Sequence, residues 1–295
     1  MKKPILVTGI HKSGTTWVGK ILAESKEVGY VYEPFNYGTD RVSPVKYWYQ
    51  YIADDVPVAK DFDAYMQGYL QFSVKHLVTD LAKQINSATE VYRTLRTHTN
   101  LIMSKRQLVK DPIAVLSAEW LAERYDMDVV MLIRHPAAFV ASAKKRNYDF
   151  PFEHLLEQKE LMDRFLYPYE EEIRAYAAEK QSAVDQAMVL WKLIYHVVQC
   201  YREEHPEWVY LRNEDLSINP QKEYENLYQA LNLELTGKIK NAIYESSTSE
   251  VNTHTKRDSK KNVGYWKKVL TPEEIDRVYD NVHEVSAHFY DHSDW

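Results

Sequence analysis

The residues with the clearest capacity for chemistry are Gly9-Ile10-His11-Lys12-Ser13-Gly14-Thr15-Thr16-Trp17, which follow an apolar run from Pro4 to Thr8 and open into a helical pattern ending near Ser25. This is the order strand, phosphate-cradling loop, helix. Glycines let the backbone curl until successive N–H groups converge, and the first helical turn adds its dipole, so the stretch is an anion nest. Gly9 and Gly14 have the Walker-type spacing, four residues between them, but Thr15 stands where a nucleotide triphosphatase carries lysine. The cation lies inside the loop instead, at Lys12.

Three further strand ends carry candidate groups. Asp128 to Ile133 is an apolar parallel-strand run closed by Arg134-His135-Pro136, and Ser142 follows eight residues after Arg134 with Lys144-Lys145-Arg146 behind it. Arginine at a strand end and serine one to two turns into the next helix can grip one phosphate from two sides, the arginine with bidentate donors. A P-loop kinase or ATPase usually presents an aspartate for Mg²⁺ on such a strand. A positive charge stands here in its place, which weighs against the kinase alternative. Val28 to Asn36 is a short alternating strand stopped by Pro34, with Glu33 at its end. Strand ends converge on ligand sites in open α/β sheets, so Glu33 is a candidate base, although position alone favours an ordinary exposed glutamate. Leu108-Val109-Lys110-Asp111-Pro112 is the next strand end, ahead of a helix expected over Ile113 to Arg124. Asp111 is open to two roles, a base or the cap of that helix.

Together these motifs resemble the sulfotransferases that use 3′-phosphoadenosine 5′-phosphosulfate (PAPS), from residue 4 to about residue 275. Lys12 with Ser13, Gly14, Thr15, Thr16 and Trp17 is similar to the family's 5′-phosphosulfate loop, and Arg134 with Ser142 to its 3′-phosphate site. Tyr32-Glu33-Pro34 resembles the corresponding segment of Golgi-type carbohydrate sulfotransferases and their bacterial relatives. The resemblance implies Glu33 as general base, by analogy with tyrosyl-protein and heparan-type enzymes. Lys110-Asp111-Pro112-Ile113-Ala114 is similar to a tyrosyl-protein sulfotransferase segment whose lysine faces the transferring group, which implies Lys110 as a second cation on the sulfonate. Arg212-Asn213-Glu214-Asp215-Leu216 resembles the family's Arg-Tyr-Glu-Asp-Leu, with Asn213 replacing the tyrosine and leaving one adenosine contact unaccounted for. Gly264-Tyr265-Trp266-Lys267 and Leu270-Thr271-Pro272-Glu273 resemble the family's Gly-x-Trp-Lys and Leu-Thr-x-Glu ending. A basic loop before it, residues 246–268, is implied to cover the 3′-phosphate, with Arg257, Lys260 and Lys261 competing for the contact because the usual Arg-Lys-Gly is absent.

The implied reaction is transfer of a sulfonate from PAPS to an acceptor hydroxyl, on a carbohydrate or another small or extended metabolite, leaving 3′-phosphoadenosine 5′-phosphate (PAP). Lysine and helix dipole supply the positive field, so no metal is implied. The alternatives are a P-loop kinase acting on a small molecule and a nonenzymatic PAPS-binding protein.

The elements that must position these residues form an α/β pattern: a central parallel sheet flanked by helices, the P-loop-like sulfotransferase fold, as one domain over residues 1–295. Residues 38–100 interrupt the alternation, with Tyr47, Trp48, Tyr49 and Tyr51 crowded together and an amphipathic helix expected over Asp63 to Gln84. This segment is either the acceptor side of the site or a helical subdomain that packs its own aromatics. Tyr148 to Glu179 reads as a loosely helical lid, and Ala183 to His205 as a long core helix. His283, His288 and His292 are placed on the last helix, at spacings that make no compact ligand set.

The net charge of −6 opposes a general nucleic-acid binder, so the anion site must be a local basic pocket. One cysteine, Cys200, excludes an intrachain disulfide, and no stretch approaches the roughly 20 apolar residues of a membrane helix. The short apolar run after Met1-Lys2-Lys3 leads straight into the phosphate loop and reads as the first strand rather than a signal peptide, so a cytoplasmic protein is expected. Nothing in the sequence sets the oligomeric state.

Overall fold

A computed structural model describes the chain apart from residues 1, 37–42, 76, 79–87, 104 and 249–258. Its centre is a wholly parallel sheet of β1 (Ile5–Gly9), β2 (Val28–Tyr32), β3 (Arg106–Lys110), β4 (Asp128–Ile133) and β5 (Val209–Arg212), in the spatial order β2-β3-β1-β4-β5. The central strands are buried on both faces, which is why they read as continuous apolar runs. Leu6, Val109, Val129, Met131 and Ile133 join a core with Phe139, Trp191 and Tyr195, whereas Ile5, Val7, Leu108, Val130 and Leu132 join a second core with Trp17 and Tyr224. This is the period-two alternation of a strand, sorted onto two covered faces.

The chain leaves β1 toward β2 on one side and leaves β4 toward β5 on the other. Such a reversal opens a crevice at the carboxyl ends of the two neighbouring strands, where open α/β sheets bind ligands. The loop after β1 and Arg134 after β4 stand at that crevice. The helix α1 (Thr15–Leu22) begins directly behind the loop.

The long core helix is found at Ala183–Glu204, started by Ser182, whose side chain accepts the Asp185 N–H at 3.2 Å. Other elements depart from expectation. The amphipathic helix runs over Ala59–Leu70, and a separate helix covers Ala88–Ile102, so a single span from residue 63 to residue 84 does not form. The helix expected over residues 113–124 is a 3₁₀ turn, Pro112–Ser117, followed by Ala118–Tyr125. The expected lid is no lid: Phe150, Phe152, Leu155, Leu161, Phe165, Leu166 and Ile173 are buried in the first core. Its helical pieces are short, Glu153–Leu156 and Glu170–Ala178 among them, and that breaks up the period a sequence reading relies on. The last helix, Pro272–Ser286, starts with the full capping box of Thr271 and Glu274, but His288 and His292 lie beyond its end. No helix among the described residues is long and apolar enough to cross a membrane.

Gly9 is the tightest point of this framework. It adopts φ 142°, and a Cβ there would stand 2.4 Å from the Leu132 carbonyl oxygen on the neighbouring strand. The substitution Gly9→Ala therefore meets both a backbone clash and an unfavourable φ, and is expected to lower stability by about 2 kcal/mol or more, measured by urea unfolding.

Candidate active site

The loop is held from behind. Arg134 donates through Nη1 to the Lys12 carbonyl, and Asn213 donates through Nδ2 to the Ser13 carbonyl at 2.9 Å. With these two oxygens engaged from β4 and β5, the curled backbone is left to present N–H groups. Lys12 has φ 66° and Gly14 φ 101°, both in the left-handed region, and a Cβ on Gly14 would stand 2.2 Å from Asn213 Nδ2. No side chain caps α1 at Gly14, so its first amides are open to an anion. The Ser13 hydroxyl is buried without a hydrogen-bond partner among the described residues, an unmet polar group inside the nest. Thr15 is buried and Thr16 half-buried on the first turn. Lys12 is exposed as a residue, but partial desolvation of its ammonium first, and the Arg146 charge second, lower its pKa from the usual lysine value.

Trp17, expected in the cradle, is a correction. Its indole turns into the second core, where Nε1 donates to Ser246 Oγ at 2.9 Å and the ring meets Tyr224 edge-on at 5.6 Å. The third helical position faces the sheet, so only the Trp17 backbone belongs to the loop, its N–H donating to the Gly14 carbonyl at 2.9 Å.

Parallel pairing brings Glu33 and Lys110 together. Tyr32 lies opposite Lys110 in the ladder, and the Glu33 N–H continues it to the Lys110 carbonyl at 2.9 Å. The Lys110 ammonium forms an ion pair with Glu33 and sits 4.1 Å from the centroid of the Tyr32 ring. Lys110 is fully buried while Glu33 retains 17 % exposure, so the carboxylate is the member of the pair that looks outward. Burial lowers the Lys110 pKa, and Glu33 opposes that shift. Asp111 resolves its two roles as the cap: its carboxylate accepts the Ile113 N–H at 3.1 Å and the Phe35 N–H at 2.6 Å. Complete burial raises its pKa to about 7.

At the crevice mouth, Arg134 is fixed through its backbone: its N–H donates to the Tyr195 hydroxyl at 2.9 Å, and Trp191 Nε1 donates to its carbonyl at 2.8 Å. Ser142 is half-buried on the helix Pro136–Lys144 that follows. His135 is enclosed by Trp266, Tyr290 and Trp295, with the Trp266 ring stacked at 5.1 Å, and burial lowers its pKa to about 3. The Trp of the Gly-x-Trp segment thus packs beside Arg134. Of the three cations expected over the 3′-phosphate, Arg257 lies outside the described residues. Lys260 and Lys261 are exposed on the short helix Ser259–Asn262, which Ser259 ties to the Ser217 carbonyl at 2.7 Å.

Sequence reasoning missed two members of this neighbourhood. Asn213 registered only as a departure from a motif, since its contact with Ser13 spans 200 positions of chain. Arg146 registered only as the end of a basic run. Elsewhere, ligand atoms of Glu119, Glu123 and His205 lie within 4.8 Å of one another, but Glu119 already accepts from Arg164 at 2.8 Å and ion-pairs with it.

A parallel sheet with an anion nest at its reversal point, and basic side chains at neighbouring strand ends, defines a P-loop-like group-transfer protein. The family model of the sulfotransferase family matches residues 4–237, and the chain belongs to that family: it is a sulfotransferase. No curated protein sequence matches it. Among solved structures, a sulfotransferase domain from the curacin biosynthetic pathway is similar over 96 % of this chain and 98 % of its own, with 16 % identity and a TM-score of 0.51, a likeness of fold. A sulfotransferase domain from a Synechococcus olefin synthase matches over 99 % and 97 % with 13 % identity and a TM-score of 0.47. Mouse sulfotransferase SULT7A1, solved with PAP, matches over 98 % and 85 % with 11 % identity and a TM-score of 0.49.

The unequal exposure of the Lys110–Glu33 pair predicts unequal costs. Glu33→Ala strands a buried ammonium and is expected to lose on the order of 3 kcal/mol, whereas Lys110→Met leaves a carboxylate that can turn toward water and loses clearly less. Urea unfolding of the two variants checks the order.

Proposed function

We propose that this sulfotransferase takes the sulfonate from PAPS and transfers it to a hydroxyl of a carbohydrate or another small or extended metabolite, releasing PAP. What supports the reading is that Arg134 holds the Lys12 carbonyl of the loop, and that the Lys110–Glu33 ion pair stands at the same, carboxyl-terminal edge of one parallel sheet. The residues fit the donor's anions: the nest keeps an unpartnered buried hydroxyl at Ser13 and an uncapped helix start, and it has Thr15 where a triphosphate loop has lysine.

In this reading the amides of Gly14, Thr15 and Thr16, with the two threonine hydroxyls, cradle the 5′-phosphate; the Ser13 amide, also expected there, donates to the Ile10 carbonyl at 3.1 Å instead. Lys12 meets the charge that develops on that phosphate as its bond to sulfur breaks. Glu33 takes the proton from the acceptor hydroxyl as the new oxygen–sulfur bond forms, and Lys110 holds the Glu33 carboxylate in place and shares the sulfonate charge. Arg134 and Ser142 bind the 3′-phosphate, with one of Arg257, Lys260 and Lys261 covering it. Chemistry of this kind is mostly positioning and charge stabilisation, which these groups supply without a metal. The single cysteine supports a cytoplasmic setting.

The donor assignment is tested by thermal unfolding with PAP, with ADP, and with ATP and Mg²⁺. A ligand at a hundred times its dissociation constant stabilises by about 2.7 kcal/mol, so a shift with PAP alone is expected; a shift with Mg-ATP alone would identify a kinase instead. The base assignment is tested by Glu33→Gln, which is expected to lower the turnover rate by about 10²-fold or more while PAP binding is retained. Unchanged turnover would remove Glu33 from that role.

A further inference from the structure

Among the described residues, eight of the twelve exposed large hydrophobic side chains fall between Phe72 and Met103, each 36–64 % accessible to solvent. Five of them stand on the helix Ala88–Ile102 or on Met103, whose N–H continues it by donating to the Thr99 carbonyl at 3.0 Å. With about 3.6 residues per turn, Val91, Leu95 and Ile102 fall within about 40° of one another and Tyr92 and Met103 lie beside them, so the outward arc of this helix is apolar. The inward arc is largely polar. His98, Asn100 and Leu101 are buried there, and Thr94 and Thr97 are half-buried. The helix is thus turned the opposite way from an ordinary surface helix, which keeps its apolar stripe for the core. Its inner side rests on the edge strand β2, close enough that a Cβ on Gly29 would stand 2.9 Å from Asn100 Cβ.

The apolar surface extends past this helix. The Phe72 ring meets the His98 ring edge-on at 6.2 Å, and the exposed Val74 and Val78 follow Phe72 in the chain. Apolar surface collected in this way on the outside of a folded chain marks an interaction site. Charge selects the occupant. From Phe72 to Lys105 the sequence carries five lysines and arginines against two acids, a net +3 in a chain of net −6. Arg96 is exposed next to Met103 at the margin of the apolar arc, and Lys75 is exposed between the two valines. A second copy docked through the same face would set these cations against their own counterparts, because a two-fold interface pairs a surface with itself. A helix too polar to span a bilayer, with one apolar arc bordered by cations, has instead the composition that lies on an anionic lipid surface.

We propose that the face formed by Phe72, Val91, Tyr92, Leu95, Ile102 and Met103 docks this protein peripherally on a membrane that carries anionic lipids. Val91, Leu95 and Ile102 enter the boundary between headgroups and acyl chains, and Lys75 and Arg96 meet headgroup charge. The inner side of the same helix packs on β2, so docking sets the strand that ends in Glu33 directly behind the membrane-facing helix.

The test is co-sedimentation of the full chain with lipid vesicles, of phosphatidylcholine alone and of phosphatidylcholine mixed with phosphatidylglycerol. Binding about tenfold or more tighter to the mixture is expected, and it weakens as salt is raised. The double substitution Leu95→Glu with Ile102→Glu puts two anions on the face and is expected to lower that binding by about tenfold or more. Arg96→Gln is expected to lower it by about fivefold, the scale of one cation at an anionic surface. Tyr244→Glu, at an exposed tyrosine on the helix Gly237–Thr248, is expected to leave it unchanged. Thermal unfolding checks that the double variant is folded; where it is not, Arg96→Gln and the salt dependence decide. Absence of binding to either vesicle, equal binding to both, or binding that survives the double substitution overturns the proposal. So does a dimer in light scattering that the double substitution dissociates while vesicles go unbound, which would give the face to a second copy.

Discussion

Everything at this site depends on keeping two carbonyl oxygens out of an anion's way. A curled loop presents carbonyls as readily as amides, and an inward oxygen would repel a phosphate. Arg134 holds the Lys12 carbonyl and Asn213 holds the Ser13 carbonyl, each from the end of a strand whose position the parallel ladder sets. The restraint extends into the core, because Tyr195 bridges the Arg134 N–H and the Leu132 carbonyl, accepting from one at 2.9 Å and donating to the other at 3.2 Å. A tyrosine on the long helix thereby fixes a cation at the crevice.

The second constraint is electrostatic. Lys110, Asp111 and Glu214 are withdrawn from water beneath the strand ends, and each is answered locally: Lys110 by Glu33 and the Tyr32 ring, Asp111 by two backbone amides, Glu214 by the His135 N–H at 3.1 Å and the Tyr290 hydroxyl at 2.8 Å. Burial drives the pKa values of His11 and His135 to about 3. The two histidines nearest the loop are thus uncharged at neutral pH, and lysine and arginine set the field. Such a field, fixed before the donor arrives, suits a transfer whose catalysis consists of meeting charge as it moves between oxygens.

The parts of this architecture written in local pattern were legible from residue types alone. β1 and β4 stand where apolar runs ended in glycine and arginine, because strands buried on both faces must be continuously apolar and cannot conceal their ends, whereas β2, at the sheet edge, was marked by its alternation and by Pro34. The glycine spacing fixed the loop, and Thr271-Pro272-Glu273-Glu274 fixed a helix start, since a capping box satisfies its amides within four residues. Segments 59–102 and 148–178 were less legible. Their helices are short and several of their aromatics are buried against remote elements, so helical periodicity carries little signal there.

The sequence by itself determined the strand–loop–helix that carries Lys12 and the strand ends at which Glu33, Lys110 and Arg134 stand, because that pattern is local and announces itself within a dozen residues. Tertiary structure decided which of these groups face one another. It paired Glu33 with Lys110 across adjacent strands, turned Trp17 away into the core, recruited Asn213 to the loop, and drew Lys144 and Lys145 to the carboxy-terminal segment. The reason is that charge interactions depend on distance and burial, and the distances between groups 77 or 200 positions apart exist only once the chain has folded.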